Sequence, residues 1–304
     1  MKVQLLRAFG GADRFEPADL PVPVPARGEV RVRVAALGVN GLECRLRAGQ
    51  LQDLFPTPLP AVLGKEVAGT VDAVGPGTDG PAVGDRVVGF TGSGSYAQYC
   101  TARVEALAAV PDGVPFASAV TLPVAVETAA RGLDSLAVRP GWTVVVNGAS
   151  GPVGSAAVQL LRERGALVVG TASERNQAYV ESLGARAVRY GDGAGERIRA
   201  AAPYGVDAVY DAAGHGFCSL AVELTGDPRR VVTIADPGAA ALGVHLSTGS
   251  RRPVAAPFVP VLPRLAAGTF RTVVDRVYPL ADMAAAHARV ESGRAHGKVV
   301  VTVD

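Results

Sequence analysis

The segment Val144 to Leu161, VVVNGASGPVGSAAVQLL, constrains the fold more than any other part of the chain. A run of valines leads into a glycine-rich turn, and a helical pattern follows. Pro152 suits a first helical turn, where its missing N–H is no loss. Gly154 would let the helix pack against the strand, and Gly151 would let a phosphate approach the N–H groups at the helix start. A bare tight turn is the alternative, but the strand–turn–helix context favours a dinucleotide site. The residues predicted to contact the cofactor here are Ala149, Ser150, Gly151, Pro152, Val153 and Gly154.

Strand and helix patterns alternate around this segment. A helix is predicted over 117–136, interrupted by Pro123. Strands are predicted at 143–147, 167–172, 187–190, 208–211 and 230–235, with helices from Pro152 and from about Asn176. Such alternation is typical of a parallel, doubly wound sheet.

The two ends of the chain have a different pattern. Short β-branched runs predict strands at 30–35, 67–74, 85–90 and 96–101. After about Phe270, a strand over 271–278, a helix over 281–291 and a strand over 298–303 close the chain. We therefore predict an α/β domain over 115–267 that is inserted into a mainly β domain split between 1–114 and 268–304.

Composition narrows the function classes. The 304 residues are enough for two domains of roughly 100–200 residues each. A formal net charge of +2 gives no electrostatic reason to expect nucleic acid or an acidic membrane as a partner. Cys44, Cys100 and Cys218 are too far apart for a disulfide framework or a Cys-x-x-Cys pair, and the four histidines show no short metal-ligand spacing. No apolar run approaches ~18 residues, and the N-terminal run is too short for a signal peptide. A reduced, soluble, cytoplasmic protein that acts on a small molecule is expected.

The choice between NAD and NADP is expected to depend on the segment TASERN at 171–176. An NAD enzyme places a carboxylate there for the ribose 2′-hydroxyl. Glu174 lies at about the required spacing, so spacing alone is ambiguous. Ala172 cannot repel a 2′-phosphate, however, and Ser173 and Arg175 can bind one, the arginine through a charge-assisted fork. We predict NADPH; an ordinary solvated residue at a helix start is the alternative for Arg175.

Further motifs occur along nearly the whole chain. They are GVN (38–40), EVAGTVDAVGPG (66–77), VGDRVVGF (83–90), LPVAVETA (122–129), NGASGPVG (147–154), LGA (183–185), DAVYDAAG (207–214), VVTIA (231–235) and GKVVV (297–301). In order and spacing they resemble the signatures of the medium-chain dehydrogenase/reductase superfamily. Within it, the chain resembles the zinc-independent branch of quinone oxidoreductases, zeta-crystallin and polyketide enoyl reductase domains. The resemblance implies an α/β protein in which a GroES-like β domain is split in sequence around a Rossmann domain with a doubly wound parallel sheet.

The stretch LGKEVAGTV at 63–71 bears on metal binding. In the zinc-dependent alcohol dehydrogenases, the position of Lys65 is a histidine and that of Asn40 is a cysteine, and both bind the catalytic metal. An ammonium has no lone pair to give a metal. The cysteine-rich lobe that binds structural zinc also has no counterpart here. The resemblance therefore implies a reductase without zinc.

Without a Lewis acid, hydride transfer to a quinone or an electron-poor alkene is easier than alcohol oxidation, because the developing charge spreads onto a conjugated oxygen that needs only hydrogen-bond donors. Asn40 is the best candidate to contact the nicotinamide or the substrate. Arg45 stands where related reductases often have tyrosine or lysine, and it could stabilise an enolate, although it is a poor acid. Lys65 could stabilise charge or donate a proton. A salt bridge of Lys65 with Glu43 or Glu66 is the alternative, and water could equally deliver the proton.

The resemblance also implies further cofactor contacts. Thr128 matches a residue beside the nicotinamide, and Tyr190 matches a tyrosine near the 2′-phosphate. Ala212 and Ala235 end strands at the cofactor cleft. An uncovered edge strand, for which Leu242 to Ser247 is the candidate, implies a homodimer.

Three hypotheses for the function follow. The first is an NADPH-dependent reductase of quinones or α,β-unsaturated carbonyl compounds. The second is a pathway-specific enoyl reductase of specialised, polyketide-type metabolism. The third, from another class, is an NADPH-binding structural or sensor protein with little turnover.

Overall fold

The protein divides into two compact units, which is the inserted arrangement expected from the sequence. The structure is a computed structural model that describes residues 1–249 and 252–304. The first unit combines 1–124 with 252–304, and the second covers 125–249 of the described residues. These boundaries differ from the predicted 114/115 and 267/268. The reason is that residues 115–124 and 252–267 pack in the first unit. The Arg86 guanidinium lies over the Phe116 ring, the Ala255 N–H donates to the Glu105 carbonyl, and the Phe258 ring packs edge-to-face on Phe90.

The helices and strands of the described residues are as follows. The strands are β1 (Lys2–Leu6), β2 (Phe15–Asp19), β3 (Glu29–Val39), β4 (Ala61–Val62), β5 (Glu66–Val74), β6 (Arg86–Phe90), β7 (Tyr99–Arg103), β8 (Leu107–Ala109), β9 (Thr143–Asn147), β10 (Leu167–Ala172), β11 (Arg186–Arg189), β12 (Ala208–Asp211), β13 (Val231–Thr233), β14 (His245–Leu246), β15 (Val274–Pro279) and β16 (Lys298–Thr302). The α-helices are α1 (Gly41–Arg47), α2 (Phe116–Ala119), α3 (Pro123–Ser135), α4 (Pro152–Glu163), α5 (Gln177–Ser182), α6 (Ala194–Ala201), α7 (Phe217–Thr225), α8 (Leu262–Ala266) and α9 (Met283–Glu291). Short 3₁₀ helices lie at Ala12–Arg14, Val104–Ala106, Glu174–Asn176, Pro228–Arg230, Pro237–Leu242, Val259–Val261 and Leu280–Asp282.

The first unit is built on a mainly antiparallel sheet in the order β15-β16-β3-β5-β6-β8, with β7 also paired to β3. A smaller sheet, β2-β1-β4, lies in the same unit. The two parts of the split unit meet in one sheet, because β16 from the end of the chain pairs antiparallel with β3. This pairing brings residues from distant parts of the sequence side by side at the end of β3.

The second unit is a parallel sheet in the order β11-β10-β9-β12-β13-β14. This is the doubly wound arrangement that the alternation of strands and helices predicts. The central strand β9 is buried over four of its five residues, as expected of a strand that is covered on both faces. Because all the strands are parallel, their carboxyl ends meet at one edge of the sheet, which we call the carboxyl edge.

Most predicted elements are found, although several of their ends differ by a few residues: the strand predicted over 230–235 is Val231–Thr233, and the one predicted over 271–278 is Val274–Pro279. Two differ more. The helix predicted over 117–136 is divided into α2 and α3, with Pro123 as the first residue of α3. The strand predicted at 96–101 lies instead at Tyr99–Arg103, because the backbone of the buried Tyr96 is engaged elsewhere: its N–H donates to Leu63 and its carbonyl accepts from Gln4.

The predicted edge segment does contain the edge strand β14. A homodimer through that edge stays a prediction. No helix among 1–249 and 252–304 is long and apolar enough to cross a membrane.

Candidate functional site

The turn between β9 and α4 has the geometry that its glycines require. Gly148 adopts a left-handed φ of 78°, which favours glycine. A Cβ on Gly154 would lie 2.1 Å from the Gly148 carbonyl oxygen, so close packing of α4 excludes any side chain there. A Cβ on Gly151 would meet only that same oxygen, at 3.4 Å, so the fold itself leaves this position open. The open position lies directly before Pro152, the first residue of α4, and the free backbone N–H groups of the first helical turn begin after this proline.

The residues predicted to bind the 2′-phosphate follow strands β10 and β11. Ala172 is buried at the end of β10, and the Ser173 hydroxyl that follows is buried without a hydrogen-bond partner. Glu174 and Arg175 are both exposed. The Tyr190 N–H donates to the Ala172 carbonyl at 3.4 Å, which holds the end of β11 beside the end of β10. Ser173 therefore carries an unused hydroxyl at this edge.

A second contact ties the turn to this region. The Asn176 side chain donates from Nδ2 to the Ser150 hydroxyl at 3.3 Å. Ala149 is buried beneath the turn, while Ser150 and Val153 are half-buried. The pyrophosphate and ribose residues predicted from the sequence thus lie along one edge of one unit.

Thr128, Ala212 and Ala235 also belong to the second unit. The Tyr210 hydroxyl on β12 donates to the Thr128 carbonyl at 2.9 Å, and Gly132 makes room for the tyrosine ring, because a Cβ there would lie 2.4 Å from it. Ala212 follows β12 directly, and its N–H donates to the Asn147 carbonyl at 3.0 Å. Ala235 follows β13. Glu127, which precedes Thr128, forms an ion pair with Arg131 at 2.9 Å on the same helix.

A polar network that sequence analysis did not find crosses the carboxyl edge. We define the edge network as Thr171, Asn147, Asp211 and Thr233, which lie on the four neighbouring strands β10, β9, β12 and β13. The Thr171 hydroxyl donates to Asn147 Oδ1 at 2.6 Å, and Asn147 Nδ2 donates to Asp211 Oδ1 at 2.8 Å. The Thr233 hydroxyl donates to Asp211 Oδ2 at 2.7 Å. The chain of bonds locks the relative positions of the strand ends.

The edge network also holds the loops that follow these strands. The Gly148 N–H donates to the Thr171 hydroxyl at 3.0 Å, and the Gly214 N–H donates to Asp211 Oδ1 at 2.8 Å. The Ala235 N–H donates to the Thr233 hydroxyl at 3.1 Å. Three loops that carry predicted cofactor residues are thus held by hydrogen bonds to the edge network. The sequence signal was a polar residue at the end of each otherwise apolar strand.

In the first unit, Asn40 lies at the end of β3 and caps helix α1. Its side chain contacts two buried charged groups: Nδ2 donates to Glu66 Oε1 at 3.0 Å, and Oδ1 accepts from Lys298 Nζ at 2.6 Å. Lys298 Nζ also donates to Glu66 Oε1 at 2.5 Å. The second Glu66 oxygen accepts the Val124 N–H at 3.0 Å, in the first turn of α3. Glu66 and Lys298 have side-chain exposures of 0% and 1%, so this ion pair is out of contact with water.

The strand register explains why these residues meet. Val299 lies opposite Val39 and Val67 lies opposite Leu37, so one further step along each ladder puts Lys298 beside Asn40 and Glu66 beside Gly38. A Cβ on Gly38 would lie 2.1 Å from Glu66 Oε1. The glycine of the GVN motif is therefore required to make room for a buried carboxylate.

Glu43 is the fourth member of what we call the Asn40 cluster: Asn40, Glu43, Glu66 and Lys298. Its Oε2 accepts the Asn40 N–H at 3.1 Å, and its Oε1 is buried without a partner. Burial raises the pKa of Glu43 to about 7, and the Glu66 charge adds to the effect, while Lys298 and Lys65 oppose it. Burial therefore favours the protonated form of the Glu43 carboxyl.

The other two predicted catalytic residues are placed differently. Lys65 is exposed, and Glu66 forms its ion pair with Lys298 instead. The salt bridge of Lys65 with Glu43 or Glu66, which sequence analysis kept as an alternative, is therefore not formed. Arg45 is half-buried in α1. Among the predicted catalytic residues, Asn40 is the one whose side chain contacts both Glu66 and Lys298.

Known proteins confirm the kind of fold. Residues 26–112 match the alcohol dehydrogenase GroES-like domain, and 183–301 match the family described as zinc-binding dehydrogenase. The human quinone oxidoreductase is 29% identical over 317 residues, covering 96% of this chain and 95% of its own. Erythronolide synthase EryA2 of Saccharopolyspora erythraea is 42% identical over 172 residues, covering 56% of this chain. The chain spans only 5% of that synthase.

Solved structures of similar proteins cover essentially the whole chain. A structure described as an NAD-dependent alcohol dehydrogenase is 31% identical, with a TM-score of 0.87 and full coverage of both chains. A mycobacterial protein solved in complex with NADPH is 29% identical, with a TM-score of 0.86, covering 99% of this chain and 100% of its own. The chain belongs to the medium-chain dehydrogenase/reductase superfamily, in its quinone oxidoreductase branch. It is thus an oxidoreductase with a nicotinamide-binding Rossmann domain and a GroES-like domain.

Proposed function

We propose that the protein is an NADPH-dependent reductase of quinones or of the C=C bond of α,β-unsaturated carbonyl compounds, and that it works without a metal. The observation that carries this proposal is the Asn40 cluster. The side chain at the position of a metal-binding cysteine is an amide, and its oxygen is occupied by the Lys298 ammonium. An ammonium cannot ligate a metal, and it repels one.

The match to the family described as zinc-binding does not oppose this proposal. It covers residues 183–301, whereas Asn40 and Lys65, which stand at the two ligand positions, lie outside it. The donor set at those positions is an amide and an exposed ammonium, and neither is a thiolate or an imidazole, the usual zinc ligands.

The residues of the second unit fit a nicotinamide dinucleotide. The N–H groups at the start of α4 and the open position at Gly151 suit a pyrophosphate. The unpartnered Ser173 hydroxyl suits a 2′-phosphate, with Arg175 and Tyr190 as further candidates at the same strand ends. The carboxyl edge, where ligands of doubly wound sheets bind, carries all of these residues. Bound NADPH supplies the hydride.

The role of the first unit is electrostatic. Asn40 Nδ2 has two protons, and Glu66 accepts one of them. The other proton is a donor for an oxygen on which negative charge develops, which is what reduction of a quinone or an enone requires. Arg45 and the exposed Lys65 are the candidates for additional positive charge near that oxygen.

The test is NADPH oxidation by the purified protein, followed by absorbance, against a panel of quinones and enones. Turnover of at least one acceptor, lost in Asn40→Ala with the cofactor affinity unchanged, is the expected result. Tight NADPH binding with no turnover on any acceptor would instead favour the structural or sensor protein. Stoichiometric zinc in the active preparation would refute the metal-free proposal.

A second candidate is supported by the similarity to the erythronolide synthase EryA2 and to the solved CurK enoyl reductase. It is the enoyl reductase, which reduces an enoyl thioester. A small crotonyl thioester belongs in the same panel. A kcat/KM for the thioester well above that for every quinone would favour this candidate.

A further inference from the structure

The Lys298 ammonium has a role that the proposed function does not assign to it. Lysine occurs only at positions 2, 65 and 298 in this chain, where nearly all cations are arginine. Lys298 is buried and shares its protons between Asn40 and Glu66. Gly297, which precedes it, has a φ of 97° and no room for a side chain, since a Cβ would lie 2.2 Å from the Val273 carbonyl oxygen. The backbone is thus built to start β16 with this side chain pointing into the cluster.

The two charged neighbours define the orientation of the Asn40 amide. Lys298 can only donate, so the atom that faces it must be the amide oxygen. Glu66 accepts from Lys298 and from the Val124 N–H, so an amide N–H is the group that suits its Oε1. A flipped amide would put its NH₂ against an ammonium and its oxygen against a carboxylate. The amide therefore has one orientation, with its second N–H left over.

The ammonium also changes the amide itself. A positive charge 2.6 Å from Oδ1 draws electron density toward the oxygen and leaves the nitrogen more positive. Both protons on that nitrogen then become stronger donors. Because Lys298 and Glu66 are shielded from water, this polarisation is weakened little by the solvent. Asn40 is half-buried, so its leftover N–H is the member of the cluster that a substrate can approach.

We propose that Lys298 is a positioning residue that orients and polarises the Asn40 amide, so that the leftover Asn40 N–H stabilises the oxyanion of the substrate. The catalytic part of this inference rests on the proposed function. Lys298 itself does not contact the substrate. Its ammonium places a fixed positive charge beside the Asn40 amide oxygen. Asn40 and Lys65, which stand at the metal-ligand positions of the zinc enzymes, do not suit a metal.

The test uses the double variant Lys298→Met/Glu66→Gln, which removes one charge of each sign and keeps side chains of similar length. The Glu66→Gln change retains a side-chain carbonyl oxygen that can accept from Asn40. The matched control is Lys2→Met/Asp19→Asn, which removes a lysine–carboxylate pair of 2.6 Å that is about two-thirds exposed. Both double variants are compared with the wild type in thermal unfolding and in NADPH titration, where no large change is expected.

The first readout does not depend on activity. Asparagine occurs only at positions 40, 147 and 176, so the side-chain NH₂ signals of ¹⁵N-asparagine-labelled protein can be assigned by substitution. In the wild type, the Asn40 ¹⁵N signal should lie downfield of the other two and exchange slowly with solvent. In Lys298→Met/Glu66→Gln it should move upfield and exchange at least about tenfold faster, because both charged partners are gone. An unchanged Asn40 signal would overturn the proposal.

The second readout is turnover. The kcat for the best acceptor should fall about 10- to 100-fold in Lys298→Met/Glu66→Gln, with KM and the surface-pair control nearly unchanged, because a weakened oxyanion donor acts on the transition state. A normal kcat in a variant whose Asn40 signal has moved would overturn the catalytic role. If the wild type reduces no acceptor, the proposed function fails, and the NMR comparison still decides whether Lys298 polarises Asn40.

A measurement on the wild type covers the case in which the variant does not fold. With ¹⁵N-lysine labelling, three side-chain signals are expected, and the Lys298 signal should be that of a slowly exchanging ammonium at neutral pH. A neutral Lys298 amine would overturn the proposal, since it carries no charge to polarise the amide.

Discussion

The two units each bury a carboxylate in a hydrogen-bonded network, and the networks differ in how completely they are satisfied. Asp211 in the edge network accepts from the side chains of Asn147 and Thr233 and from the backbone of Gly214. Its donors are neutral and belong to the strands and loops that surround it. The Asn40 cluster instead contains two carboxylates and one ammonium, and one Glu43 oxygen has no partner. In the edge network both carboxylate oxygens have donors, whereas in the Asn40 cluster one carboxylate oxygen has none.

The difference indicates two kinds of task. A saturated network of neutral donors fixes geometry, and it lies beneath loops that must hold a dinucleotide in a defined position. A cluster with an unpartnered carboxylate oxygen stores electrostatic energy, which functional sites use to shift a proton or to polarise a neighbour. The hydrogen bonds of the Rossmann unit therefore join strand ends and loops, whereas the GroES-like unit holds buried charges beside Asn40.

The largest expected effect is the removal of the single cation of the Asn40 cluster. Lys298→Met alone leaves Glu66 and Glu43 buried without their counter-charge, and breaking a buried ion pair in this way costs about 3–5 kcal/mol. Urea unfolding should show a loss of this size, and Lys298→Met/Glu66→Gln should recover most of it. A loss below about 1 kcal/mol for the single variant would mean that the cluster is solvated, and the contrast between the two networks would fail.

The matching change in the edge network is Asp211→Asn. It replaces one acceptor oxygen by an NH₂ group that faces donors, and the cost of the lost charged hydrogen bonds should be about 3 kcal/mol. Asp207→Asn, at the amino end of the same strand, is the control. Its carboxylate is half-buried and accepts the Thr143 N–H, a bond that asparagine can keep. Equal, small losses in urea unfolding for both variants would show that the edge network adds no rigidity.

Much of the second unit could be predicted from the sequence, because its signals are local. β9, β10 and β12 lie where the apolar runs placed them, and α4 begins at the predicted Pro152. Each of these features depends on neighbours along the chain. The homodimer and the contacts of a bound cofactor remain predictions, since they depend on molecules beyond this chain.

The Asn40 cluster could not be predicted in the same way. Asn40 and Lys298 are separated by most of the sequence, and only the pairing of β3 with β16 brings them together. Lys65 was the more conspicuous lysine because of its place beside Glu66, yet it is exposed to solvent. The available signals were a lysine at the start of the apolar strand KVVVT and a glycine in GVN. Neither identifies its partner without the strand register.

The unpartnered carboxylate predicts a pH dependence that the edge network does not share. The pKa of Glu43 is raised from 4.5 to about 7, so the folded protein holds this proton more tightly than the unfolded chain does. The contribution of this bound proton to the free energy of unfolding is fully present below about pH 4.5 and is lost as the pH rises through about 7. Relative to Glu43→Gln, the wild type should therefore lose about 2–3 kcal/mol of unfolding free energy between about pH 4.5 and about pH 8. Glu66 strengthens the shift, and Lys298 and Lys65 weaken it.

Chemical denaturation of both proteins at several pH values measures this difference. Glu16→Gln, which removes a carboxylate from an exposed pair with Arg7, is the control and should show no such trend. If the difference in unfolding free energy between wild type and Glu43→Gln is constant with pH, the pKa of Glu43 is not raised in the folded protein. The Asn40 cluster would then not differ from the edge network in this respect.

The smallest effect is expected at Arg175, which is exposed near the carboxyl edge and which we propose to contact the cofactor. Arg175→Ala should weaken NADPH binding by about 1–3 kcal/mol, or roughly 5- to 150-fold, and leave NADH binding nearly unchanged, because the proposed partner of the guanidinium is the 2′-phosphate, which NADH lacks. The loss should shrink at high salt, since the contact is exposed.

Fluorescence titration with both cofactors measures this loss, and Arg186→Ala, at an exposed arginine at the amino end of β11, is the control. An equal loss for both cofactors would show that Arg175 does not distinguish them. A wild-type preference for NADH would mean that Glu174 occupies the ribose position. Its carboxylate would then repel the 2′-phosphate, even though the unpartnered Ser173 hydroxyl suits that phosphate.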